Sequence, residues 1–133
     1  MADAVVVDAS IVVRGLTTPG AAANVLGEID AGDTVAHAPD VIVAEVSNAL
    51  AVAVRADARS LDDAHAAFEL FTSAPIELHS TIPLAPAALE LAATSPLSAY
   101  DAFYAVLARA LEVPLVTADR RLAAAVAGSV LVE

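Results

Sequence analysis

The stretch Val5-Val6-Val7-Asp8-Ala9-Ser10 constrains this chain most, because a β-branched run that stops at a carboxylate has few places to go. Three consecutive Val residues give no alternation of apolar and polar side chains, so the segment reads as a strand buried on both faces rather than one with a wet side. Such strands sit in the middle of parallel sheets. In open α/β sheets ligands gather outside the carboxyl ends of the strands, and Asp8 falls at that end. A lone Asp after a strand more commonly caps the next turn or helix, so the meaning of Asp8 depends on whether other acids reach the same edge.

The rest of the chain alternates in the manner a parallel sheet requires. Thr18-Pro19 reads as the start of a helix running to about Ala31, with Gly32 beyond its end. Thr34 to Ala38 is a second strand stopped by Pro39, and Asp40 is placed to cap a long helix reaching about Arg55. Ser60, followed by Asp62 and Asp63, opens another helix, on which Leu61, Ala64, Phe68 and Phe71 have helical spacing. Ile76 to Ser80 is a third strand, and Pro86 opens a helix through Ala93. Ser98 begins a helix carrying Asp101, Phe103 and Tyr104. Pro114 to Thr117 is a fourth strand, Asp119 to Val126 a short helix, and Val130 to Val132 a last strand. This pattern predicts one α/β domain over residues 1–133, a three-layer, mainly parallel sheet flanked by helices.

Four acids stand out by position: Asp8, Glu45, Asp101 and Asp119. Glu45 and Asn48 share one face of a helix otherwise built from Val, Ile, Leu and Ala, and a carboxylate in such a setting must be paired, protonated or metal-bound. Ser98-x-x-Asp101 fits a capping box, and Asp119 fits an N-cap, yet both roles deliver carboxylates to the strand ends where Asp8 lies. Four acids converging there repel one another unless a cation sits among them. The 133 residues contain no Cys, so a metal would be held by oxygen or imidazole, which points to Mg²⁺ with Mn²⁺ as a substitute. Ser10 and Thr117 are placed to hydrogen-bond a ligand or the acids themselves.

These residues resemble the PIN-domain nucleases, and within them the VapC-type toxins of bacterial toxin–antitoxin pairs. The resemblance lies in Val6-Val-Asp8-Ala-Ser10, in Pro39 followed by Glu45-Val-x-Asn48-Ala-Leu50, in Tyr100-Asp101-Ala-x-Tyr104-Ala-x-Leu-Ala108, and in Pro114-Leu-Val-Thr-Ala-Asp119-Arg-Arg-Leu122. Together they span nearly the whole chain. The resemblance implies a Rossmann-like sheet of about five strands, Mg²⁺-dependent hydrolysis of RNA and inhibition by a small cognate antitoxin. It also implies a homodimer. Carried over by position, Asp8, Glu45, Asp101 and Asp119 are the catalytic and metal-holding quartet, with Ser10, Asn48 and Thr117 supporting it. The competing reading within the same fold is a PIN-like binding or regulatory module without catalysis.

Charge qualifies the partners. The net charge is −11, and all six basic residues are Arg, which argues against a broad basic face for nucleic acid. Arg14, Arg120 and Arg121 follow Asp8 and Asp119 closely and are the expected substrate contacts, whereas Arg59 and Arg109 read as balancing surface acids. An acidic chain also suits a basic antitoxin segment. No stretch is long and apolar enough for a bilayer span, and Met-Ala-Asp lacks the basic start of a secretory signal, so a cytoplasmic protein is expected. The absence of Lys argues against a phospho-receiver domain, and Ser10, two residues after Asp8, argues against a dehalogenase-type phosphatase. His37 and His79 fall at predicted strand ends and His65 on a helix, where boundary placement accounts for them. Phe68, Phe71, Phe103, Tyr100 and Tyr104 read as core or interface residues.

Overall fold

The Val run forms the strand Asp3–Val7 (β1), and its side chains divide between two cores as a strand buried on both faces requires. Val6 packs with Ile42, Val46, Leu50 and Tyr104 on one side, while Val5 and Val7 pack with Ile11, Ala22 and Ile29 on the other. The computed structural model describes residues 2–133. Four more strands flank β1, at Thr34–Pro39 (β2), Ile76–His79 (β3), Leu115–Thr117 (β4) and Val130–Leu131 (β5). All pair in parallel, in the order β3-β2-β1-β4-β5.

That order locates the functional edge. From β1 the chain builds outward through β2 to β3, then returns to the far side of β1 to add β4 and β5. The strand order therefore reverses between β1 and β4, and a crevice opens there at the carboxyl ends. Asp8 follows the last residue of β1, and Thr117 ends β4.

Among the described residues, seven α-helices cover the sheet: Ala9–Thr17 (α1), Ala21–Asp30 (α2), Val41–Arg55 (α3), Leu61–Ser73 (α4), Ala85–Thr94 (α5), Ala99–Leu111 (α6) and Arg120–Ala125 (α7), with a 3₁₀ turn at Ile82–Leu84 before α5. The expected caps Ser60, Ser98 and Asp119 each accept hydrogen bonds from the first turn of their helices. Two expectations fail. Helix α1 begins at once after β1, where no helix was expected, and Asp40 precedes α3 without a side-chain capping bond. Of the helically spaced apolar set on α4, Leu61 is 60% exposed, whereas Ala64 and Phe71 are buried. Among the described residues, no helix is long and apolar enough to cross a membrane.

Helix α1 owes its position to Gly15. A Cβ there would lie 2.5 Å from Leu26 Cδ1 and 2.9 Å from the backbone carbonyl oxygen of Ala22, so α1 and α2 pack more closely than a side chain allows. Gly15→Ala gains roughly 0.5–1 kcal/mol of helix propensity but forces a backbone shift whose cost is about 1–3 kcal/mol. Overpacking wins because a carbonyl, unlike a side-chain end, cannot rotate away. The expected result is a lower urea midpoint at unchanged m; a raised midpoint would show that the two helices separate at little cost.

Candidate active site

Asp8 directly follows β1 and caps α1, a junction at which it is 5% exposed. Both carboxylate oxygens are held. Ser10 Oγ donates to Oδ1 at 2.6 Å, Thr117 Oγ1 donates to Oδ2 at 2.7 Å, and the Ile11 N–H reaches Oδ1 at 3.3 Å. The two hydroxyls are fixed in turn, because the Ala118 N–H donates to Ser10 Oγ at 2.9 Å and the Asp119 N–H to Thr117 Oγ1 at 3.0 Å. Side chains and backbone from the ends of β1 and β4 thus form one network at the point where the strand order reverses.

The other acids arrive from three helices. Glu45 projects from α3 and accepts a 2.6 Å hydrogen bond from the Tyr104 hydroxyl, whose ring is buried on α6. Asp101 stands in the first turn of α6, with its N–H capped by Ser98 Oγ at 3.1 Å, which leaves its carboxylate free to pair with Arg121 Nη2 at 2.9 Å. Asp119 caps α7 by accepting from the N–H groups of Arg121 and Leu122 at 2.9 and 3.1 Å. Arg121 also lies 3.9 Å from Asp119, so one guanidinium spans two of the acids.

The charges of neighbouring acids act on both Asp8 and Glu45. Burial pushes the Asp8 carboxyl above its ordinary range; the hydrogen bonds from Ser10, Thr117 and Ile11 oppose this, and the charge on Asp119 adds to it. Burial likewise raises Glu45, against the bond from Tyr104 and with the charges of Asp101 and Asp8. Tyr104 is held as a neutral phenol by its burial and by Glu45. Excess negative charge in a half-dry crevice is the condition under which a hard cation binds, and the donors are carboxylates and hydroxyls only.

The supporting residues divide. Ser10 and Thr117 touch Asp8 directly, whereas Asn48 is exposed and shares a cleft of about 430 Å³ with Glu45 and Tyr100. Arg14 is exposed beside Glu45 and Ser10 along a second cleft of about 460 Å³. Arg120 turns instead to Glu133, 2.5 Å away, and Arg59 donates to the Thr17 carbonyl. Arg109 lies in a separate cleft between α5 and α6. Tyr104 was expected as a core or interface residue, and it is buried; its bond to Glu45 and the bridging role of Arg121 were not read from the sequence, where the local hint was that Tyr104 stands one helical turn after Asp101.

Comparison with known proteins agrees with this fold. A family model described as the PIN domain matches residues 5–128. The chain is 39% identical over 125 residues to Ribonuclease VapC1 of Mycobacterium tuberculosis, in both strain CDC 1551 and strain H37Rv, covering 92% of this chain and 91% of the relative. Among solved structures, PAE2754 from Pyrobaculum aerophilum aligns with a TM-score of 0.73 at 25% identity, over 98% of this chain and 91% of that one. VapBC2 from Rickettsia felis, crystallised with a DNA fragment from its promoter, shares the fold with a TM-score of 0.69 at 16% identity, over 96% of each chain.

Proposed function

This chain belongs to the PIN-domain family, and from that premise we propose that it is a Mg²⁺-dependent endoribonuclease acting as the toxin of a toxin–antitoxin pair. The observation that carries the reading is the crevice between β1 and β4, where buried Asp8 faces Glu45, Asp101 and Asp119 with one guanidinium as counter-charge. The donor set fits Mg²⁺ or Mn²⁺, with Asp8, Asp101 and Asp119 as holders and Glu45 beside them. When bound, the ion supplies neutralisation of charge on the scissile phosphate and acidification of water.

The chain's own residues do the positioning. Ser10 and Thr117 lock the Asp8 carboxylate in one orientation, so it need not reorganise when substrate arrives. Glu45, raised by burial and anchored by Tyr104, is suited to orient the attacking water and take its proton. In-line attack then leaves a 5′-phosphate and a 3′-hydroxyl. Arg121, 2.9 Å from Asp101 and 3.9 Å from Asp119, is the counter-charge these two acids share. The inactive-module reading has no missing acid to recommend it. The deciding experiment is cleavage of structured RNA by the purified chain in Mg²⁺, in chelator, and after Mg²⁺ is restored; cleavage that ignores the chelator overturns the metal assignment.

Arg14 is the proposed phosphate contact. Arg14→Glu should lower the slope of log K against log salt for single-stranded RNA by about 0.7, and Arg109→Glu, in its separate cleft, should leave the slope unchanged. Equal changes in both variants, read by fluorescence anisotropy in Ca²⁺, would reject this placement. The same reading includes a basic antitoxin segment that complements the −11 charge and a homodimer formed through the α4 and α5 side, where Leu70 and Leu89 stand exposed.

A further inference from the structure

Strand β3 is an edge strand of four residues, hydrogen-bonded only to β2. Its register places Glu77 opposite His37 and His79 opposite Pro39, so His37, Glu77 and His79 project from one face of the two strands. Their ligand atoms converge. His37 Nδ1 lies 2.9 Å from His79 Nε2 and 3.3 Å from Glu77 Oε2, and each of the three residues offers a ligand atom within 4.8 Å of those of the other two. Among the described residues this is the one group of three such side chains so closely gathered; the acidic quartet is more widely spread.

Hydrogen bonding alone serves this trio poorly. Neutral imidazole Nδ1 is either a donor or an acceptor. If it accepts from His79, its lone pair faces the Glu77 carboxylate; if it donates, one N–H is divided between two acceptors. A cation among the three satisfies every lone pair at once. A tetrahedral zinc ion with bonds of about 2.0–2.2 Å holds its ligands roughly 3.3–3.5 Å apart, which the 2.9 and 3.3 Å spacings from His37 Nδ1 approach within a few tenths of an ångström. His37 is 14% exposed and rigid on β2, while Glu77 is 65% exposed and free to adjust.

We propose that His37, Glu77 and His79 form a zinc-class transition-metal site, separate from the acidic crevice, that pins edge strand β3 to β2. Two imidazoles and one carboxylate select a borderline metal over Mg²⁺ and leave a fourth position for water. The clamp also bears on the crevice side of the fold. The Asp40 N–H donates to the His79 carbonyl at 2.8 Å, and Asp40 immediately precedes α3, the helix that carries Glu45.

The test uses the full, tag-free chain, stripped of metal and kept in excess Mg²⁺ so that the oxygen site is occupied. Co²⁺ should bind with one equivalent and give the intense visible spectrum of tetrahedral coordination. Zn²⁺ at a hundredfold excess over its Kd should raise the thermal midpoint by roughly 5–10 °C. His79→Ala should abolish both responses while its metal-free midpoint stays near that of the parent. Glu77→Gln, at an exposed position that cannot disturb folding, should weaken Zn²⁺ binding by at least about 10-fold and carries the test if His79→Ala does not fold. A weak octahedral Co²⁺ spectrum, or binding unchanged in both variants, overturns the site. Tight binding with no rise in midpoint overturns the pinning of β3.

Discussion

Asp8→Asn should abolish RNA cleavage and, in chelator, make the protein more stable than the parent. The loss of cleavage should exceed the 10–100-fold typical of removing an outer-shell partner of a metal ligand, reaching about 10³-fold. The gain in stability follows from the raised pKa. A carboxyl whose folded pKa lies above its unfolded value of 3.8 favours the folded state only while protonated, so that contribution is complete below pH 3.8 and is lost as pH rises through the folded pKa. At neutral pH ionised Asp8 therefore opposes folding, and the amide, which mimics the protonated form, does not. The network accepts the change. Oδ1 continues to receive Ser10 and the Ile11 N–H, while the new N–H donates to Thr117 Oγ1. Thermal midpoints of parent and variant should coincide near pH 3.5 and separate in favour of the variant as pH rises. A variant less stable than the parent at neutral pH in chelator would mean that the ionised carboxylate is itself structural.

The sequence made the sheet legible because the sheet is written in local signals. Val5-Val6-Val7 is apolar on both faces, and Ser60, Ser98 and Asp119 each carry the chemistry of a cap that the structure uses. Helix α1 was not legible. Ile11-Val12-Val13 is β-branched and has poor helix propensity, and it becomes helical because Asp8 caps it and because Ile11 and Val12 fill opposite cores. Tertiary burial overrides propensity there. Asp40 shows the reverse case, an acid in an N-cap position that makes no capping bond.

The site divides along the same line. Each acid could be named from its place after a strand or at a helix start, but what holds it came from elsewhere in the chain. Thr117 reaches Asp8 across 109 residues and Tyr104 reaches Glu45 across 59, separations over which no periodicity or motif operates. The His37, Glu77 and His79 trio is the same lesson at the sheet edge. His37 and His79 are ordinary at predicted strand ends and Glu77 is ordinary within one, and the three become a group only through the register of β2 against β3.

Tyr104 is the positioning residue whose loss separates support from chemistry. Tyr104→Phe keeps the buried ring, which is 1% exposed, and removes only the hydroxyl that donates to Glu45 Oε1 at 2.6 Å. Folding should lose about 1 kcal/mol, less than the roughly 1.5–3 kcal/mol of a bond to a charged acceptor because Glu45 is partly exposed and water can replace the donor. Turnover should fall by roughly 10–100-fold, the cost of freeing an oriented ligand or base. The bond from Tyr104 holds the Glu45 pKa down, so its removal raises that pKa further, and the acidic limb of the cleavage profile should move to higher pH. A purely structural tyrosine would leave that limb in place. The cycle with Glu45→Gln completes the argument: if the hydroxyl acts through Glu45, the double variant cleaves no more slowly than Glu45→Gln alone. A full 10–100-fold further loss in the Glu45→Gln background would mean that the hydroxyl does not act through Glu45, and would overturn this positioning role.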